Sequence, residues 1–320
     1  MKFIMHLTIQ NIKRRRVRTI LTLLGVMIGV VAAVVSLLSL GMGVKRELLQ
    51  GYGDDASIRQ ITVQTPENNQ NKKMLLTDHT IEKLAKLDKV ANVYPRYEVF
   101  TNIQVGQYTA YTNLVGIPSE QLSAIALTDT SSLSEHARKP ELVIGNAMGY
   151  MFFHEGSMTS YQDGKGDLNA WIGEKAKVSL GLDENEITDR LTIAGVMQGD
   201  ADEFSEQSQS IYCDIDVLRA YLKKHAAQGN VLGQPLDKNG NAYTSWVYSS
   251  VVVEVGKMED VEFVVKKLQD MGYQTTNMKE YRDTAMRTVR MLELLLGGIG
   301  LISFLVAAIG ISNTMTTAVY

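Results

Sequence analysis

The sequence predicts a membrane protein in which two transmembrane α-helices flank an extracytoplasmic α+β domain, and three observations predict it. Thr19 to Val44 are 26 consecutive residues without a charge, and Leu294 to Tyr320 are 27. Residues 1–44 carry six Lys/Arg and no acid, whereas the remainder carries 26 Lys/Arg against 35 Asp/Glu, a net −9. Between the apolar stretches a strand–helix–strand pattern occurs twice, around a β-rich middle.

The first 18 residues place Phe3, Ile4, Leu7 and Ile12 near helical spacing, with Lys and Arg at the far end. That pattern is an amphipathic basic segment on a membrane surface, or else a frayed basic tail. Residues 19–44 follow as the first span. At 1.5 Å per residue they extend ~39 Å as a helix, more than a ~30 Å hydrocarbon core. The competing reading is a signal peptide, but a signal's apolar region is ~7–15 residues and ends at a small-x-small site, which Gly41-Met42-Gly43-Val44 does not supply. Arg14, Arg15, Arg16 and Arg18 stand immediately before the span and set the topology: positive residues remain inside, so the N-terminus is cytoplasmic and the large domain lies outside.

The domain is expected over residues 45–290. Ile58 to Gln64 is a β-branched strand closed by Pro66, and Thr77 or Asp78 caps a helix carrying Ile81, Leu84 and Leu87 on one face. Val90–Val99 and Thr101–Ile117 read as strands, with Gly106 at a hairpin turn. Ser249–Val255 is a strand and Glu259-Asp260 opens a helix bearing Val261, Val264, Val265 and Leu268. Gly272 stops that helix, and a short strand follows to Asn277. These units, about 54–117 and 249–278, are expected to form one subdomain, with 118–248 inserted into it. Within the insertion, Glu141–Gly145, Lys177–Leu180, Arg190–Met197 and Ser210–Tyr212 read as strands. Asn146 is placed to cap a short helix through Phe152, and another helix is expected from Asp216. The polar, Gly-rich stretches 156–173 and 225–244 read as surface loops. Lys279–Arg290 is a charged helix feeding the second span, 291–320, with Glu293 at its entry.

Catalytic chemistry is not legible. The sequence holds no Walker A run, His-Glu-x-x-His, Gly-x-Ser-x-Gly or paired-cysteine zinc spacing, and we assign no catalytic, cofactor-binding or metal-binding residue. His154-Glu155, Asp163–Asp167 and Asp200-Ala-Asp202 read as polar surface turns. Cys213 is the single cysteine, so no internal disulfide can form, and it reads as a structural thiol. Gly25 and Gly29 form Gly-x-x-x-Gly, and Gly297, Gly298, Gly300 and Gly310 give the second span a comparable small-residue face for helix packing; glycine is also common in membrane helices generally. No ionisable residue lies deep in either stretch, which disfavours proton- or ion-coupled transport along them. A basic run beside so long an apolar stretch does not point to nucleic acid.

The run NIKRRRVRTILTLLGVMIGVVAAVVSLLSLGMGVKREL (Asn11–Leu48) resembles the opening of the permease subunits of MacB-type, FtsX-like (type VII) ABC transporters. The resemblance continues in ITVQTP (Ile61–Pro66), KLAKLDKVANVYP (Lys83–Pro95), LVGI (Leu114–Ile117), ELVIGNAM (Glu141–Met148) and RLTIAGVM (Arg190–Met197). It closes on LLLGGIGLISFLVAAIGISNTMTTAVY (Leu294–Tyr320). It implies a non-catalytic permease in the plasma membrane, working with a cytoplasmic ABC ATPase and a second permease copy or homologue. ATP hydrolysis on another chain or domain would move the external domain, for export of or resistance to peptides or antibiotics. The resemblance also implies four spans in the full pattern, so two spans and the segment that touches the ATPase are expected beyond Tyr320. Two other readings stay open: a two-span receptor or anchor, and a regulatory permease that activates a cell-wall hydrolase. The substrate or outer partner is not specified.

Overall fold

The computed structural model describes residues 35, 39, 41–43, 55–66, 74–134, 136–157, 159–181, 186–202, 205–226, 230–237 and 239–317. The chain divides into two compact units: Gln50–Glu280, and the two chain ends taken together.

Within the large unit, the first β-α-β segment is β1 (Gln60–Gln64), α2 (Asp78–Ala85) and the start of β2 (Val90–Val105), preceded by a single helical turn, α1 (Asp55–Ile58). The second is β9 (Ser250–Val255), α5 (Val261–Asp270) and β10 (Gln274–Asn277). Their strands form an antiparallel sheet in the order β10-β1-β9-β2. This order, with a helix after the first strand of each pair, is the split β-α-β arrangement of ferredoxin-like domains. Alternation fixes the faces: Ile61, Val63, Val251, Val253 and Val255 are buried together with Leu84, Val264 and Leu268 of the helices. Each such side chain contributes ~1.5–3 kcal/mol of transfer free energy.

Residues 97–214 supply the second half of the unit. β2 continues through Val105 without interruption, turns at Gly106 (φ +60) and returns as β3 (Tyr108–Ile117). The remaining strands are β4 (Leu142–Ile144), β5 (Phe153–His154), β6 (Lys175–Leu180), β7 (Ile187–Val196) and β8 (Ile211–Asp214), with helices α3 (Ser119–Ala124) and α4 (Ile215–Lys224). The pairings β2–β6–β7–β4–β8–β3–β2 return to their starting strand. The sheet therefore closes into a six-stranded barrel, which leaves those strands without open edges. Ile103, Leu114, Leu142, Val178, Ile193 and Ile211 belong to its core. β2 serves both halves: its first part pairs with β9 and its second with β3 and β6. β3, which the sequence groups with 54–117, thus hydrogen-bonds to a strand of the 118–248 segment.

Several local expectations are corrected. Strand β1 starts at Gln60 instead of Ile58, because 55–58 close a helical turn. Asn146 caps no helix: its Nδ2 donates to the Asp200 carbonyl, and only a 3-10 turn, Met148–Tyr150, follows. Thr77 stands at the start of α2 without a side-chain cap bond, while the Asp78 carboxylate accepts from the Tyr248 hydroxyl at 2.6 Å. The stretch 156–173 is no simple surface loop. Tyr161 stacks on Trp171 at 4.2 Å between centroids, and Leu168 and Trp171 are buried. In 225–244, the Leu232 carbonyl accepts from the Tyr97 hydroxyl at 2.7 Å, and Val231 and Leu232 pack on the core. These aromatic and aliphatic side chains are scattered among polar ones, so no periodic signal marks them. Cys213 lies on β8 with no exposed surface, and burial pushes its thiol well up from the ordinary range.

α6 (Met278–Thr317) is a single 40-residue helix. Over Met278–Gly310 it is long and apolar enough to cross a membrane, and it is the one such helix among the described residues. The expectation of two flanking spans therefore rests, for the first, on 19–44, nearly all of which lies outside the described residues, as do Arg14, Arg15, Arg16, Arg18, Gly25 and Gly29. In the unit formed by the chain ends, Gly41 lies beside Glu293: a Cβ added at Gly41 would sit 3.5 Å from the Glu293 Oε1.

Candidate functional site

Two features of the chain have the character of functional surfaces. One is α6. β10 ends at Asn277 and α6 begins at Met278, with no connecting loop. Asn277 Oδ1 accepts from the Glu280 backbone N–H at 2.8 Å, and Asn277 Nδ2 faces Glu280 Oε2 at 3.5 Å. This is an N-cap: the Asn277 side chain satisfies a first-turn donor at the entry of the helix. Lys279 is ion-paired with Glu262 in the first turn of α5. The cap was legible as Asn-x-x-Glu before a long apolar run and was missed.

Further along α6, Leu294, Ile299, Leu301, Ile302, Val306 and Ile309 are all more than half exposed. From Leu294 onward no face of the helix carries a charge, whereas a soluble surface helix pairs an apolar stripe with a charged or polar face. At Gly297, Gly298 and Gly310 an added Cβ would meet nothing within 4 Å among the described residues, and Gly300 is half-buried.

The other feature is a cleft of about 530 Å³ where the barrel meets the open face of the ferredoxin-like sheet. The register places side chains of that face in rows: Gln60, Glu254 and Asn92 in one, Thr276, Thr62, Val252 and Tyr94 in the next, and Ser250 beside Arg96 in a third. Ile125, Met197 and Tyr212 come from the barrel side. Arg96, with 11 % of its side chain exposed, donates from Nη1 to Glu206 Oε1 at 2.7 Å. Glu254 Oε1 accepts from Gln60 Nε2 at 3.1 Å. Burial, and then the Glu254 carboxylate, raise the Tyr94 hydroxyl above the usual phenol range. Burial chiefly pushes Tyr212 up to about 12, so both phenols remain neutral donors at physiological pH. The Arg96 Nε and Ser250 Oγ atoms are buried without a hydrogen-bond partner among the described residues. Asn277 and Met278 complete the lining, so the cleft reaches the start of α6. None of these cleft residues was singled out from the sequence; the signal available was a glutamate set among valines in SSVVVEV.

Among the described residues no cluster of His, Cys, Asp or Glu could hold a metal ion. His154 Nε2 meets Gln107 Oε1 at 2.8 Å, Asp163 accepts from the Ser160 hydroxyl at 2.7 Å, and Asp202 accepts from the Tyr150 hydroxyl.

Residues 19–271 match the family described as MacB-like periplasmic core domain. The chain is 24 % identical over 327 residues to the macrolide export ATP-binding/permease protein MacB of Bartonella henselae, covering 99 % of this chain and 44 % of that protein. It is 24 % identical over 328 residues to the MacB of Escherichia coli strain K12, covering 95 % and 43 %. The chain thus spans less than half the length of these curated relatives. Among solved structures, the periplasmic region of MacB from Actinobacillus actinomycetemcomitans aligns with a TM-score of 0.40 and 13 % identity, over 72 % of this chain and 93 % of that one.

Proposed function

We propose, because the chain belongs to the family of MacB-like periplasmic core domains, that it is the permease part of an ABC transporter in the plasma membrane. In this reading Gln50–Glu280 is its extracytoplasmic domain, the N-terminus is cytoplasmic, and 19–44 and 291–320 are spans. ATP is hydrolysed on another domain or chain, as the ATP-binding/permease names of the relatives suggest. The work done on the substrate is mechanical: the helices transmit motion to the external domain, and no group on this chain takes part in bond making or breaking.

The observation that carries this reading is α6 itself, which over Met278–Gly310 is long and apolar enough to cross a membrane, in a chain of this family. The exposed apolar surface of α6 supports a membrane location, and Gly297, Gly298, Gly300 and Gly310 are where a second permease copy would approach most closely. Peptides or antibiotics are the proposed cargo class.

The reading is tested by purifying the full-length protein from its native membranes. An ABC ATPase should co-purify in near-stoichiometric amount, and its hydrolysis rate in nanodiscs should depend on this chain. Recovery without any ATPase would instead favour a receptor or anchor.

A further inference from the structure

The cleft lining contains one cation, Arg96, and two carboxylates, Glu206 and Glu254. Arg96 and Glu206 neutralise one another at 2.7 Å. Glu254 has no cation within ion-pair distance among the described residues; its hydrogen bond comes from the neutral Gln60 amide. Its position is unusual for such a group. β9 is an inner strand, flanked by β1 on one side and β2 on the other, and glutamate is depleted in strands of this kind. Glu254 is half-buried on the open face, one row from Val252. A carboxylate held in a partly desolvated concavity attracts a cation more strongly than one on an open surface.

We infer that the cleft binds a small organic cation, with Glu254 as the counter-ion of a protonated amine. The remaining walls suit such a ligand. The Tyr94 ring follows Glu254 by one row on the sheet face and offers a π-surface to an ammonium group, and Tyr212, Ile125 and Met197 accept an apolar body. Gln60, Gln121 and Gln198 supply neutral amide donors and acceptors around it. About 530 Å³ lies within the range of small-molecule sites and holds a ligand of modest size. Arg96, two rows from Glu254 on the same face, brings to the cleft lining a buried Nε with no hydrogen-bond partner among the described residues. The inference stands whether or not the chain couples to an ATPase; in the transporter reading, a bound amine would touch Asn277 at the head of α6.

The test is calorimetric titration of the full chain in detergent with three probes: phenethylamine, its uncharged N-acetyl derivative, and alanyl-phenylalanine amide, whose ammonium is a peptide N-terminus. Binding of phenethylamine, of the dipeptide amide or of both, with the acetylated probe at least tenfold weaker, is expected, and the arm that binds distinguishes a free amine from a peptide terminus. Glu254→Gln should weaken the charged probe at least tenfold, while Glu254→Asp, which keeps the charge, should bind within about threefold of the native chain; subtraction of the Glu254→Gln titration removes partition into the micelle. Binding of the native chain should also weaken as NaCl is raised from 0.05 to 0.5 M. No binding of either charged probe, equal binding of the acetylated one, or binding unchanged in Glu254→Gln would overturn the inference.

Discussion

Arg96 on β2 and Glu206 in the segment before β8 are joined at 2.7 Å, with Arg96 nearly enclosed and Glu206 half exposed. The pair ties the shared strand to the barrel side of the cleft. Converting Glu206 to Gln leaves the enclosed guanidinium without its ion-pair partner. The expected cost lies between the ~1 kcal/mol of an exposed pair and the ~3 kcal/mol of a buried one. Thermal unfolding of Glu206→Gln against the native chain measures it, and an unchanged midpoint would show that the pair does not hold the two sides together.

Gly145 lies where a Cβ would come within 2.2 Å of the Ser208 carbonyl oxygen. Backbone is the obstacle, so no rotamer change relieves it. Gly145→Ala should destabilise the domain by about 3 kcal/mol, a fall of roughly 6–12 °C in the unfolding midpoint for a domain of this size. Gly106→Ala, which has nothing within 4 Å but a φ of +60, should lose less, through backbone strain alone.

The acid limb of stability should contain a contribution from Asp189. Its bond from Lys139, with those from the Arg190 N–H and the Tyr221 hydroxyl, holds its carboxyl down to about 2 against the burial that would raise it. The folded value is below the unfolded value of about 3.9. The stabilisation is therefore complete above pH ~5 and is lost as pH falls through the folded value. Asp189→Asn should be less stable than the native chain at pH 7, and the difference should shrink between pH 4 and 2. Melting curves across that range decide it; a difference independent of pH would remove the assignment.

If α6 crosses the membrane, a single lysine at Leu301 should oppose insertion by ~2.5–3.5 kcal/mol. Leu301→Lys should shift the chain toward the carbonate-extractable fraction, whereas Tyr281→Lys, in the charged part of the helix, should not. Equal extraction of both variants would count against the span.

A Cβ added at Gly298 would meet nothing within 4 Å among the described residues. Gly298→Leu should leave the unfolding of the external domain unchanged and reduce association between differently labelled copies in nanodiscs, read by energy transfer. Undiminished transfer would place the helix contact elsewhere.

The two strand–helix–strand patterns were legible in the sequence because their signals are local. ITVQ and SSVVVEV alternate or run apolar over strand length, and Leu84 and Leu268 repeat at helical spacing. Both halves carry the same order even though residues 118–248 separate them, a separation within which strand spacing still reads segment by segment. The cleft was not visible. Arg96, Glu206 and Glu254 are far apart in the chain, and only the register of β2 with β9 and the return of the segment 205–210 bring them together.

The sequence alone determined where the chain is apolar, where it is charged, where the strands and helices of the two strand–helix–strand units lie, and which family it resembles, because composition and periodicity act over a few residues. Only the tertiary structure decided that β2 serves two sheets, that β3 and β6 close a barrel through it, and that β10 enters α6 without a loop. Strand partners are chosen by hydrogen bonds between residues distant in sequence, and every β-strand offers the same backbone donors and acceptors. The choice among them is settled by which side chains can be buried together, a property of the folded whole.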